Sequence, residues 1–258
     1  MRFRRSILPG RVVAGLQAFV STGAGAADFA IAPTRIELGP KQQAAIISIS
    51  NNSPQTLHLQ VETMQWTMDA EGSWNLTPTD DLIVNPQLFE IVGSSTAPLR
   101  VGTLQPADAT ERAYRIIIEE LPGENQVLDP GTMNIRMLTH LSVPAFIEPA
   151  KAQPALSIAT ARIDGRQLIV KFKNNGNARL DPHQLSLRVL DNKHGEVFRN
   201  EQLFGYILAE SSLALKVELP TPVCAQAKSL TVQLESQPAF PEHDITQGAG
   251  ACAAKPSP

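Results

Sequence analysis

From Phe29 to Glu120 the chain is cut into short extended runs, "FAIAPTRIEL", "AAIISISN", "LHLQVETMQW", "APLRVGT" and "AYRIIIEE", separated by "GPKQQ", "NNSPQ" and "DAEGS". β-Branched and aromatic residues fill the runs, and Gly, Pro, Asn, Asp and Ser fill the gaps. Twenty prolines and sixteen glycines punctuate the sequence so closely that long helices have no room to form. The spacing predicts about seven strands, the pattern of an immunoglobulin-like sandwich.

After "EPAKAQPA", where Pro149 and Pro154 stiffen the chain as a short linker, the pattern starts again. "LSIATARI", "QLIVKFKN", "LSLRVLD", "ALKVELP" and "SLTVQLE" read as a second, smaller β unit, with "NNGN" (Asn174 to Asn177) marking a turn that needs positive φ. The expected architecture is all-β, two tandem immunoglobulin-like sandwiches. The first spans residues 28–149, the linker 150–154, and the second domain with its tail 155–258. No internal repeat is strong enough to read in the sequence.

The net charge is −3, which argues against nucleic acid as a partner, because phosphate binding needs a Lys/Arg excess. Arg2, Arg4 and Arg5, a short apolar stretch and "AGAAD" read as a signal peptide over residues 1–27. No later stretch approaches the roughly 20 apolar residues that span a bilayer, so membrane insertion is not expected. Export to an oxidising periplasm suits the two cysteines, Cys224 and Cys252. A bridge between them would pin the glycine-rich tail onto the second domain and contribute about 3 to 4 kcal/mol in the chain-entropy model.

Signs of catalysis are missing. The five histidines are dispersed, with no i, i+4 pair and none near a cysteine, so neither a metal site nor another cofactor is expected. No nucleophile elbow, phosphate loop or dinucleotide fingerprint occurs. The carboxylate pairs Asp80/Asp81 and Glu119/Glu120 are neighbours on strands and point to opposite faces, which fits solvated surface charges better than paired acid and base. The expectation is a protein that is not an enzyme.

One stretch is unusual. In "IRMLTHLSVPAFIEP" the odd positions Ile135, Met137, Thr139, Leu141, Val143, Ala145 and Ile147 would share one face of a strand. Six of those seven are apolar, and the run is about twice an ordinary strand length. Such a strand would overreach its own domain.

Taken in order, "FAIAPTRIEL", "ISISNNSPQTLHLQVETMQW", "LIVNPQLFEI", "APLRVG", "AYRIIIEELP" and "SVPAFIEP" resemble the periplasmic pilus-assembly chaperones of the chaperone-usher pathway. The fit to "YRIIIEELP" and "SVPAF" is nearer the archaic, spore-coat-U and Csu-like branch. The resemblance implies a boomerang of two sandwiches that lends a strand to incomplete pilus subunits, a form of β-strand addition, and hands them to an outer-membrane usher. The donated face would be Ile135, Met137, Thr139, Leu141 and Val143, although a more apolar residue than Thr139 is usual there. It also implies a basic anchor for the subunit's terminal carboxylate. Arg35 in "PTRIEL" matches the first-strand arginine of the better-known branch, whose partner lysine is replaced here by Pro144. Arg100 in "PLRVG" fits the archaic position, with Arg115 and Arg136 as neighbours. The alternative reading is an exported two-domain adhesive or carbohydrate-binding module, which surface aromatics would favour, but Trp66 and Trp74 are the only tryptophans and both lie near one expected hairpin.

Overall fold

The computed structural model describes residues 29–122, 138–235, 238–248 and 251–252. In chain order the first half contains β1 (Phe29–Ala32), β2 (Ile36–Leu38), β3 (Ala44–Asn51), β4 (Leu57–Met68), β5 (Trp74–Pro78), β6 (Leu82–Asn85), β7 (Leu88–Ile91), β8 (Thr96–Thr103), β9 (Arg112–Glu120) and β10 (His140–Ile147). The second half contains β11 (Leu156–Asp164), β12 (Gln167–Asn174), β13 (His183–Leu190), β14 (Glu196–Phe204), β15 (Ser212–Glu218), the short helix α1 (Thr221–Gln226), β16 (Ser229–Leu234), β17 (His243–Asp244) and β18 (Thr246–Gln247).

Each half is a two-sheet sandwich. The first stacks β1-β3-β8-β6 on β2-β10-β9-β4-β5, with β7 also pairing β4. The second stacks β15-β12-β11-β18 on β14-β13-β16-β17. Alternation explains the layers: in β3, Ile47 and Ile49 are buried while Ser48 and Ser50 turn away from the core, and in β12 Leu168, Val170 and Phe172 are fully buried. Each such side chain contributes about 1.5–3 kcal/mol on burial. Strand β9 departs from alternation, with Ala113 to Ile118 all buried. Tyr114, Ile116 and Ile118 join the sandwich core, while Ala113 packs with Trp66, Phe146 and Leu208 on the opposite face.

Three readings of the sequence change. "FAIAPTRIEL" is two strands in different sheets, β1 pairing β3 and β2 pairing β10. The five runs expected in the second unit are joined by "EVFRNEQLF", of mixed polarity, which is the edge strand β14. The "NNGN" turn carries no positive φ among the described residues. Its conformation is set instead by the Asn174 side chain, which accepts from the Ala155 and Gly176 amides and donates to the Ala178 and Leu208 carbonyls. Gly176 is needed for close approach, since a Cβ there would lie 2.1 Å from the Gln153 carbonyl oxygen. Asn51 plays the same part at the end of β3, donating to the Gln55 and Ile91 carbonyls and accepting from Ser53, a shared device that only the structure displays.

Candidate functional site

Strand β10 pairs antiparallel with β9 along its whole length, from His140↔Glu119 to Ile147↔Arg112. On its other side it pairs in parallel with β2 only from Ala145↔Ile36 to Ile147↔Leu38. Among the described residues, His140 to Pro144 therefore present an open backbone edge, a template for another strand. Burial grades along the odd face: Thr139 and Leu141 are half-buried, and Val143, Ala145 and Ile147 belong to the sandwich core. Glu120 Oε2 accepts from the Thr139 amide at 3.1 Å and Glu119 Oε1 meets His140 Nδ1 at 2.8 Å, so both carboxylates secure the start of the strand. Ile135, Arg136 and Met137 lie outside the described residues.

Two arginines flank the point where the open edge ends. Arg115 is the register partner of Pro144 on β9, and Arg35 immediately precedes Ile36, the partner of Ala145 on β2. Arg35 is 39% exposed at its side chain, with Nε 2.9 Å from Glu37 Oε1 and Nη1 3.3 Å from Asp181 Oδ2. Burial opposes its charge, yet a hydrogen bond with Tyr206 and the carboxylates of Asp181 and Glu37 outweigh it and raise its pKa. Arg35 also lines an open cleft of about 570 Å³ with Glu37, Leu38, Lys41, Glu148 and Pro149, beside the segment joining the sandwiches.

Arg115 is held differently. Its guanidinium carbon lies 3.9 Å from the Trp66 ring centre and 4.2 Å from that of Trp74, with Tyr206 of the second sandwich at 6.0 Å. Burial pulls its pKa down to about 10. Its Nε and the Trp66 Nε1 are buried without hydrogen-bond partners among the described residues. Arg100 is elsewhere: it is exposed on β8, beside Ile46 and Asn85, between the core residues Leu99 and Val101. The sandwich core thus separates it from β10.

The boundary between the sandwiches is charged and aromatic. Arg179, its side chain 6% exposed, meets Glu111 Oε2 at 2.6 Å, Glu148 Oε1 at 3.2 Å and Asp181 Oδ1 at 2.9 Å, and also bonds Glu37. Its guanidinium carbon stacks 3.8 Å over Phe146. Tyr206 packs edge-on against Trp66, the Leu208 amide points at Met68 Sδ, and the Ala214 amide donates to the Glu71 carbonyl at the tip of the β4–β5 hairpin. Gly72 at that tip has φ 92°, and a Cβ there would collide with Leu213. Sequence reasoning missed Arg179 and Glu111, which are 68 positions apart and share no motif. Among the described residues no cluster of His, Cys, Asp and Glu is built to hold a metal, and no helix is long and apolar enough to cross a membrane. Cys224 and Cys252 form a disulfide.

These features define a protein of two immunoglobulin-like sandwiches, with a half-open strand next to the boundary between them. Residues 28–153, which include the first sandwich, match the family model described as pili and flagellar-assembly chaperone, PapD N-terminal domain. The fold is similar to a chain of the CsuC-CsuE chaperone-tip adhesion subunit pre-assembly complex from archaic chaperone-usher Csu pili of Acinetobacter baumannii, at TM-score 0.58 and 19% identity, covering 86% of this chain and 100% of that one. It is similar to a chain of a chaperone-tip adhesin complex of CFA/I fimbriae biogenesis, at TM-score 0.56 and 15% identity, over 85% of this chain and 99% of that one. The class 5 fimbriae chaperone CfaA aligns with TM-score 0.56 and 13% identity over the same shares, 85% and 99%. A comparison with curated proteins returned no match.

Proposed function

We propose that the protein is a periplasmic chaperone of the archaic chaperone-usher type, which completes pilus subunits by lending them a strand and delivers them to an outer-membrane usher. The observation that carries this reading is the half-open strand β10, whose free edge at His140 to Pro144 runs into residues already fixed in the chaperone's own core. A subunit lacking its last strand can pair its backbone with that edge. It would take the side chains of Ile135, Met137, Thr139 and Leu141 into its groove, while Val143 anchors the strand at home. Three large apolar side chains among these, Ile135, Met137 and Leu141, contribute several kcal/mol after ordering costs.

In this reading the subunit's terminal carboxylate arrives where the open edge ends, beside Pro144. Arg35 is the anchor best placed there, half-exposed and next to a cleft; Arg115 sits behind it, and Arg100 is the rival on the outer face. Subunit exchange at the usher needs no nucleotide, because better packing of the final strand drives it. The adhesive or sugar-binding alternative would rest on the exposed ring of Trp74, which is already engaged by Arg115. The test is periplasmic co-expression with a small subunit encoded beside an usher, followed by affinity purification of the chaperone. Stoichiometric recovery of the subunit supports the reading, and a subunit that is equally stable without the chaperone overturns it.

A further inference from the structure

Along β10 and the residue before it, the odd positions Thr139, Leu141, Val143, Ala145 and Ile147 share the inward face, and Thr139 is the one polar member. The sandwich core claims Val143, Ala145 and Ile147, and Leu141 packs half-buried against its rim. Thr139 is also half-buried, at the point where the strand leaves the sandwich.

One residue fixes the Thr139 backbone twice. The Glu120 amide donates to the Thr139 carbonyl at 2.9 Å, and the Thr139 amide donates to Glu120 Oε2 at 3.1 Å. Glu120 continues the alternation of Tyr114, Ile116 and Ile118, the residues of β9 that fill the core. The inward face therefore ends in a carboxylate on one strand and a hydroxyl on the next. On the far side of Glu120, its register partner on β4 is the fully buried Leu59, so this polar pair borders an apolar core. A carboxylate only accepts hydrogen bonds, at roughly four lone-pair sites, of which the Thr139 amide takes one; a hydroxyl both accepts and donates.

An apolar surface closing over this pair would strip water from both groups and leave them unbonded, which is costly. A surface that donates hydrogen bonds there meets two acceptors instead. We propose that Thr139, held by Glu120, selects among subunits: the groove that receives the strand carries a hydrogen-bond-donating side chain opposite Thr139, whereas the pocket for Leu141 is apolar. This inference rests on the reading of β10 as a lent strand and adds the chemistry of its recipient. Unpaired polar groups discriminate between ligands more strongly than a missing methylene does. One hydroxyl in an otherwise apolar face thus contributes more to selectivity than its area suggests.

Thr139→Val tests this directly, because it keeps the β-branched shape and deletes the hydroxyl, while Thr139→Ser keeps the hydroxyl. Each variant, carrying its own affinity tag, competes with wild type for a limiting amount of a small subunit encoded beside an usher, and the subunit recovered on each tag is quantified. Thermal melts of the free variants establish that they are folded. Thr139→Val should recover about ten-fold less subunit than wild type, since the groove's donor loses its partner, and Thr139→Ser should compete close to wild type. An apolar groove gives the reverse order, because valine sheds a hydroxyl that had nothing to bond. Equal or greater recovery on Thr139→Val, or a serine variant as poor as the valine one, would overturn the assignment of the pocket and leave strand lending intact. A wild-type protein that recovers no subunit would overturn both.

Discussion

Arg179 Nη1, in the second sandwich, lies 2.6 Å from Glu111 Oε2, in the first, and the Glu111 side chain is only 1% exposed. The pair ties two domains through charges withdrawn from water. Removing one partner of such a pair costs far more than the pair itself contributes, because the other charge stays buried. Arg179→Ala should therefore destabilise the protein by about 3–5 kcal/mol, read from urea denaturation. A loss below about 1 kcal/mol, the range of a surface ion pair, would show that the boundary relaxes and rehydrates Glu111.

The same carboxyl sets a pH dependence. Burial raises the Glu111 pKa above its ordinary value of 4.5, and the ion pair and hydrogen bonds with Arg179 only partly offset it, with Glu148 adding to the rise. The folded protein thus holds this proton more tightly than the unfolded chain. Its contribution to stability is fully present below the unfolded pKa and is lost as pH rises through the folded one. The stability of wild type minus that of Glu111→Gln should fall as pH rises from the ordinary carboxylate range upward. Thermal melts of both proteins across that range check it, and a difference that rises with pH contradicts the assignment.

Substitutions along the long strand separate lending from holding. Val143 is 2% exposed in the sandwich core, so Val143→Asp should cost on the order of 4 kcal/mol or more and remove subunit capture with it. Met137 lies outside the described residues, and the proposal gives its side chain to the subunit. Met137→Asp should leave the melt within about 0.5 kcal/mol of wild type yet abolish co-purification, with half-buried Leu141→Asp between the two. A Met137→Asp protein that melts far below wild type while its folded fraction still binds would assign the residue to the chaperone's own core.

The anchor can be located by charge reversal. With the carboxylate held beside Pro144, Arg35→Ala should lower recovered chaperone-subunit complex and Arg35→Glu should lower it further, because the new carboxylate repels the old one. Arg100→Ala and Arg100→Glu should leave recovery unchanged. The opposite ranking in pull-downs at low and moderate salt would move the anchor to the outer face.

Trp66 and Trp74 are the chain's only tryptophans, and both flank Arg115, so intrinsic fluorescence reports on this one cluster. Arg115→Met removes a cation–π contact of about 0.5–2 kcal/mol but also a buried charge whose Nε has no hydrogen-bond partner among the described residues. Stability should change by less than about 1.5 kcal/mol, with a clear change in emission. Trp66→Ala, by contrast, should cost about 3–5 kcal/mol, which equilibrium unfolding distinguishes.

The sequence by itself determined the all-β class, the two sandwiches and the inward face of β10, because strand period and turn chemistry are local and written in consecutive residues. "ISISN" and "LIVKFKN" declare their faces by alternation alone, and the Cys224–Cys252 bridge was readable because only two cysteines exist. Tertiary structure decided what depends on distant partners. It split "FAIAPTRIEL" between two sheets so that Arg35 and Arg115 flank Pro144, and turned Arg100 away on the far side of the core. It also buried Arg179 against Glu111 across the domain boundary. Side-chain burial and pairing of this kind arise only when strands remote in sequence are packed together, and no periodicity in either strand encodes the other.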